Sequence, residues 1–134
     1  MITSPPYYGL RTYSQDQWLR HWFLGGPPEV DYHMLVGMNH GSPKLFADSM
    51  ARVWDQIGAR AADDVRLCVR FGGIRSRAAD PDTIFKGSLQ ASKYEWRILT
   101  RHCAQTANEG KRQAEQMTSR GSAMTEFDYV VVRK

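Results

Sequence analysis

The stretch that most constrains this chain is Met1-Ile2-Thr3-Ser4-Pro5-Pro6-Tyr7-Tyr8-Gly9-Leu10-Arg11, where an apolar lead-in runs into a hydroxyl residue, two prolines, two aromatics and a glycine. Each proline fixes its own φ, removes a backbone donor and disfavours helix in the residue before it, so the stretch cannot lie inside a helix or a central strand. Two readings remain. One is a rigid corner at the end of a short strand, with carbonyls facing outward and an aromatic ring held beside them. The other is a proline-rich surface tail, or an extended ligand for an aromatic-lined groove.

The rest of the chain supplies elements for a corner to sit on. Ser14 to Leu24 has helical periodicity, with Trp18, Leu19, Trp22 and Phe23 on one face expected to be core, and Gly25-Gly26-Pro27-Pro28 stops it. Glu29 to Gly41 reads as a surface loop. Ser42-Pro43 is a cap followed by proline at the first helical position, opening a helix to about Arg60 whose Phe46, Met50, Val53, Trp54 and Ile57 form the stripe that packs on a sheet. Val65 to Phe71 is a strand with Val65, Leu67, Val69 and Phe71 facing one way and Arg66, Cys68 and Arg70 the other, ended by Gly72-Gly73. Asp80-Pro81 opens a second helix carrying Asp82, Ile84, Phe85 and Leu89, and Trp96–Cys103 and Phe127–Val132 are two further strands. Strand, helix, strand, helix, strand with short connections makes this an α/β chain with a parallel sheet covered by helices, and the closing strand, with no helix before it, is free to run antiparallel.

Composition narrows the class. A chain of 134 residues, 42% hydrophobic and 24% charged, is sized for one domain spanning residues 1–134 with an ordinary core. It has no apolar run of the roughly 18 residues that a membrane span needs, and no basic start followed by an apolar run at its N-terminus, so a cytoplasmic protein with no membrane partner is expected. Cys68 and Cys103 are far apart and read as buried free thiols. His21, His33, His40 and His102 lack metal-ligand spacing, so no metal is expected. A formal charge of +4 leans mildly toward polyanionic partners. Residues 104–125 form a polar, basic hairpin loop containing Lys111, Arg112 and Arg120 but diluted by Glu109 and Glu115, with Glu126 next to it. Either it meets nucleic-acid phosphates, or it is a solvated excursion like most charged loops.

Ser4-Pro5-Pro6-Tyr7 resembles the catalytic tetrapeptide of S-adenosylmethionine-dependent DNA methyltransferases that modify exocyclic amino groups, and Thr3 to Arg11 resembles one subgroup closely. Arg70-Phe71-Gly72-Gly73-Ile74 and Gly110-Lys111-Arg112-Gln113-Ala114 are also similar to that subgroup. The chemistry gives the tetrapeptide a reason. An exocyclic amine is a poor nucleophile because its lone pair is delocalised into the ring; accepting hydrogen bonds from both amino hydrogens pushes the nitrogen toward tetrahedral geometry. The Ser4 hydroxyl and Pro5 carbonyl are suitable acceptors, and the stiffness of Pro5 and Pro6 keeps them preorganised. Tyr7 would stack on a base turned out of the duplex. The resemblance thus implies catalytic roles for Ser4, Pro5, Pro6 and Tyr7, DNA contacts by Tyr8, Arg11, Lys111, Arg112 and Arg120, and methyl transfer to cytosine N4 or adenine N6, with Ser in the first position commoner among the N4 enzymes. The methyl group would pass directly to the amine, so neither cysteine is needed.

The implied fold is a partial Rossmann-like methyltransferase sheet of about four strands, its last strand reversed in a hairpin, with flanking helices. Only the second half of that fold is visible. The family binds S-adenosylmethionine chiefly through a glycine-rich turn after the first strand and an acidic residue after the second, and neither is found; Gly72-Gly73 follows the wrong strand and Gly25-Gly26 follows a helix. The cofactor site is therefore incomplete in this chain. The expectation is an enzyme whose cofactor half comes from a partner, either a second chain or a homodimer mate, with DNA as substrate. The alternative is a non-catalytic DNA- or protein-binding remnant, or a fragment of a longer product. With its inner neighbour missing, the strand carrying the corner is expected to present an open edge, and the helices near Trp18, Trp22 and Trp54 to lack part of their cover.

Overall fold

A computed structural model describes residues 1–9, 19, 22–29, 38–74, 79–104 and 123–134. The order is β1 (Ile2–Thr3), α1 (Pro43–Gly58), β2 (Arg66–Ile74), α2 (Pro81–Gln90), β3 (Trp96–Ala104) and β4 (Ala123–Arg133). Of the expected first helix, only Leu19 and Trp22–Glu29 are described, and the basic loop is described only at its two ends.

Both long helices begin as their caps dictate. The Ser42 side chain accepts from the Leu45 amide at 3.2 Å, and Asp80 accepts from the Thr83 amide at 2.9 Å, each with proline at the next position. Hydrogen bonds from Thr83 hold the Asp80 carboxyl below its usual range. The sheet order is β1-β2-β4-β3, with β1 parallel to β2 and β4 antiparallel to both β2 and β3. β4 is thus inserted between two strands that precede it, so β1, β2 and β3 share one direction and β4 alone is reversed.

The core lies between the helices and one face of this sheet. Leu67, Val69, Phe71, Phe127, Tyr129 and Val131 line that face, and Phe46, Met50, Trp54, Ile84, Phe85 and Leu89 cover it from the helices. Phe85 stacks on Tyr129 at 4.0 Å and meets both Trp54 and Phe71. The buried Trp54 indole donates to Ser88 Oγ at 2.9 Å, and that hydroxyl donates to the Phe85 carbonyl, which satisfies the polar atoms buried between α1 and α2. At the end of α1 the Tyr94 ring lies over Gly58, where a Cβ would sit 2.5 Å from ring atoms.

Several expectations need correction. Val53 belongs to the helical stripe by spacing but is exposed, while Ala47 and Ala51 take the buried places, because α1 packs against α2 as well as the sheet. Gly72-Gly73 does not end β2. The strand continues to Ile74 through a register shift, and Gly73 lies against Pro81 at the start of α2. Cys68 and Cys103 are free but exposed. Cys68 is on the sheet face that no described helix covers, and β3, which carries Cys103, is at the sheet's rim. Leu19, Trp22 and Phe23 are exposed rather than core, with the Trp22 and Phe23 rings edge-on at 5.2 Å, but Trp54 is fully covered. Among the described residues β1 has a neighbouring strand on one side only. No helix among the described residues is long and apolar enough to cross a membrane.

Because Phe85 touches both helices' partners and the sheet at once, Phe85→Ala should lower the unfolding free energy by about 3–5 kcal/mol, the usual cost of removing a buried phenylalanine. Urea unfolding followed by tryptophan fluorescence checks this; a loss below about 1 kcal/mol would mean the site collapses freely.

Candidate functional site

The site is built at one end of the sheet. β1, β2 and β3 all finish there, and the reversed β4 begins there, so Ser4–Gly9, Gly72–Ile74, Ala104 and Glu126 come from four strand ends that share one rim. In open α/β sheets this carboxyl end is where ligands bind.

The corner after β1 alternates between outside and inside. Ser4 and Pro6 are exposed, Pro5 is buried, Tyr7 is half-buried and Tyr8 is buried. Tyr8 turns into the core, edge-on to Phe46 at 5.6 Å and stacked with His40 at 6.3 Å. Gly9 follows with φ of 84°, a left-handed conformation that glycine adopts without steric cost. Its amide donates to His40 Nδ1 at 3.0 Å, which makes Nδ1 the acceptor nitrogen of the ring. His40 is itself held close to α1: Asn39 donates to Ser49 Oγ at 3.2 Å, and the His40 ring packs on Phe46 at 5.0 Å. The corner is therefore fixed from inside by Tyr8 and from the side by His40.

Tyr7 runs the other way, across the end of β2. Its ring stands edge-on to Phe71, centroids 6.0 Å apart and planes at 88°, and its hydroxyl donates to Glu126 of β4. Glu126 pairs in register with Gly72, so the residue of β2 at this level has no side chain. Burial is the main reason the Tyr7 phenol is pushed above the ordinary tyrosine value of 10.0, and its bond to the Glu126 carboxylate raises it further. One level along the same two strands, Arg70 grips Asp128 with two hydrogen bonds of 2.8 Å. That pair holds Asp128 below the usual carboxylate range and keeps Arg70 charged. Since both side chains are nearly half exposed, the pair sets geometry more than stability.

A second polar cluster lies on the helix side. Asp82, in the first turn of α2, accepts from the Tyr129 hydroxyl at 2.9 Å and pairs with Arg101 at 3.1 Å and Lys86 at 2.7 Å. The Arg101 guanidinium lies 4.1 Å over Phe127. Arg101 reaches this side because β3 carries a bulge between Ile98 and Thr100 that exchanges its two faces. Burial and the bond to Asp82 raise the Tyr129 phenol as well.

Of the residues singled out from sequence, Ser4, Pro5, Pro6 and Tyr7 come together on one corner. Tyr8, expected at the DNA, is buried, with its ring in the core. Arg11, Lys111, Arg112 and Arg120 lie outside the described residues. Sequence reading missed His40, Glu126 and the Arg70–Asp128 pair. Alternation with Phe127 and Tyr129 places Glu126 and Asp128 on one face, but only the hairpin register brings them to Gly72 and Arg70. The described residues do not fit S-adenosylmethionine: Gly72-Gly73 lies within a strand and packs on Pro81, so it forms no cradle, and no other glycine pair lies at a strand end. Among the described residues no group of three metal-ligating side chains is found. Compared with known protein families, curated proteins and solved structures, the chain matches none of them.

Tyr7 and Tyr129 have raised folded-state values, so their contribution to stability is fully present below pH 10, where unfolded tyrosines are protonated, and is lost as pH rises toward the folded values. Stability from urea unfolding should fall above about pH 10. Tyr7→Phe or Tyr129→Phe should each flatten that fall, and an unchanged slope in both would contradict these environments.

Proposed function

We propose that this chain is the target-base half of a DNA amino-methyltransferase, working with a partner that supplies the S-adenosylmethionine site. The partner is either a separate chain or a second copy. The observation that carries the reading is the Ser4-Pro5-Pro6-Tyr7 corner at the carboxyl end of β1, with Ser4 exposed and Tyr7 fixed beside it by Phe71 and Glu126. The strand order β1-β2-β4-β3 with β4 reversed supports a partial Rossmann-like methyltransferase sheet, because the hairpin lies where the resemblance puts it. Among the described residues one edge of β1 has no partner strand, which supports a partner chain, since an unpaired strand edge invites pairing.

In this reading the chain's own residues hold the target. The Ser4 hydroxyl and Pro5 carbonyl accept from the two amino hydrogens of cytosine N4 or adenine N6, and the Tyr7 ring stacks on the base, offsetting unstacking that costs on the order of a few kcal/mol. The alternative, a non-catalytic binding remnant, is favoured by one observation: the described residues hold no cofactor cradle. Measurable S-adenosylmethionine affinity of the chain alone would count against it.

The test is transfer of label from S-adenosylmethionine to duplex DNA by the chain, assayed alone and with the product of the adjoining reading frame as source of the cofactor half. Tyr7→Ala should abolish transfer without unfolding the protein; undiminished methylation in that variant would sink the assignment. A second measurement addresses the basic loop. If Lys111, Arg112 and Arg120 each contact a phosphate, each alanine substitution should flatten the slope of log affinity against log salt by about 0.9. A triple variant with the parent's slope would make the loop a solvated excursion.

A further inference from the structure

We propose that Glu126 is a positioning residue for Tyr7, fixing the plane against which a heterocyclic base stacks. This rests on the base-binding reading above and assigns a role to a residue that sequence reading treated only as a charge diluting the basic loop.

A phenol ring on a corner can rotate about two bonds, and a stacking surface is useful only if those rotations are stopped before the base arrives. Phe71 touches the edge of the Tyr7 ring and limits its tilt, but an edge contact leaves the far end free to swing. The hydroxyl at that far end is taken by Glu126, on a different strand and 119 positions along the chain. With both ends held, the ring has one orientation. A carboxylate suits this role because a charge-assisted acceptor binds a hydroxyl more strongly than a neutral one.

The neighbouring groups leave Glu126 available for it. Gly72, its partner across the β2–β4 ladder, brings no side chain into the path between the corner and β4. Arg70 lies close enough for its charge to act with that of Glu126, but it is committed to Asp128 through both Nε and a terminal nitrogen. Arg70 therefore offsets the charge of the two carboxylates without drawing Glu126 away from the hydroxyl. His102 faces Asp128 from β3, one level away from Glu126. Ala104, the β3 residue in register with Glu126, has no polar side chain to compete.

The proposal separates Glu126 from Tyr7 by function: Tyr7 touches the base, and Glu126 acts only through Tyr7. A non-additive cycle follows. The probe is a single-stranded oligonucleotide with one 2-aminopurine, whose fluorescence is quenched on stacking, titrated with the full chain. Tyr7→Ala should remove the quenching. Tyr7→Phe keeps the ring but loses the tether, and should weaken binding about two- to tenfold, the range expected when one side chain must be immobilised on binding. Glu126→Ala should weaken it by the same factor, and Tyr7→Phe with Glu126→Ala together should be no weaker than either alone. Glu126→Gln, which retains an acceptor oxygen, should lie between Glu126→Ala and the parent. Absorbance titration adds a readout in the absence of nucleic acid: in Glu126→Gln the Tyr7 phenol should ionise at lower pH than in the parent. If Tyr7→Ala removes quenching while Glu126→Ala changes nothing, or if the two tether losses multiply, the positioning role is overturned and the base-binding reading stands. If the parent does not quench, or Tyr7→Ala leaves quenching intact, both fall together.

Discussion

β4 arrives last in the chain and takes a central place in the sheet. Its Phe127, Tyr129 and Val131 pair on one side with Phe71, Val69 and Leu67 and on the other with Cys103, Arg101 and Ile98. The two strands it joins are parallel to each other and have no direct ladder, so the sheet is continuous only because β4 lies between them. Tyr129 makes the dependence plain: its ring is stacked on Phe85 of α2, and its hydroxyl reaches Asp82 at the start of the same helix. The core, the helix layer and the rim where the strands end all meet on this one antiparallel strand. Its insertion requires the chain to travel from the end of β3 to the start of β4 through residues 105–122 before the central pairing can form. Such non-local pairing costs more closure entropy than a tight hairpin would.

The same strand divides the sheet into unlike faces. Toward the helices, β4 shows aromatic and aliphatic side chains; away from them it shows Glu126, Asp128, Val130 and Val132, opposite Gly72, Arg70, Cys68 and Arg66. None of the latter is fully covered apart from Gly72, and Arg66 and Cys68 are exposed. The polar half of this face, Glu126 with Tyr7 and Asp128 with Arg70, adjoins the rim that carries the corner. Its interactions satisfy the side chains without burying them deeply, so they orient groups at the rim at little cost in desolvation.

Much of this was legible in the sequence, and what was not has a physical explanation. The caps at Ser42 and Asp80 and the alternation of Leu67, Val69 and Phe71 are local signals, and the helices and strands they mark are present. The prolines at 5 and 6 forced a corner, and a corner is there. The failures concern pairing. Gly72-Gly73 looks like a stop because glycine weakens strands, yet the ladder to β4 carries the chain through it with a shift in register. The bulge at Ile98–Thr100 cannot be read from β3 alone, so the placement of Arg101 on the helix side was invisible. Cys68 and Cys103 were expected to be buried as thiols usually are, but that preference presumes cover on both faces of a sheet, and the described helices cover one. Ser4 to Tyr7 was recognisable as a candidate site; Glu126 and His40 were not, since each enters it through a contact spanning at least 31 positions.

A strand as slight as β1 cannot by itself fix the corner that follows it. β1 has two residues and, among the described residues, a single parallel neighbour, so backbone pairing alone would hold the corner weakly. The side chains that follow supply what the strand lacks. Tyr8 is anchored under His40 and against Phe46, Gly9 is tied to His40, and Tyr7 is tied to Glu126 on the strand two places away across β2. The two adjacent tyrosines thus fasten the corner in opposite directions, one to the helix layer and one to the central strand. Between those fastenings the prolines allow little backbone adjustment, so a displacement at either tyrosine is passed to Ser4 and Pro5 rather than absorbed. The placement of Ser4 and Pro5 depends less on β1 than on α1 and β4, elements that arise far along the chain from the motif they position.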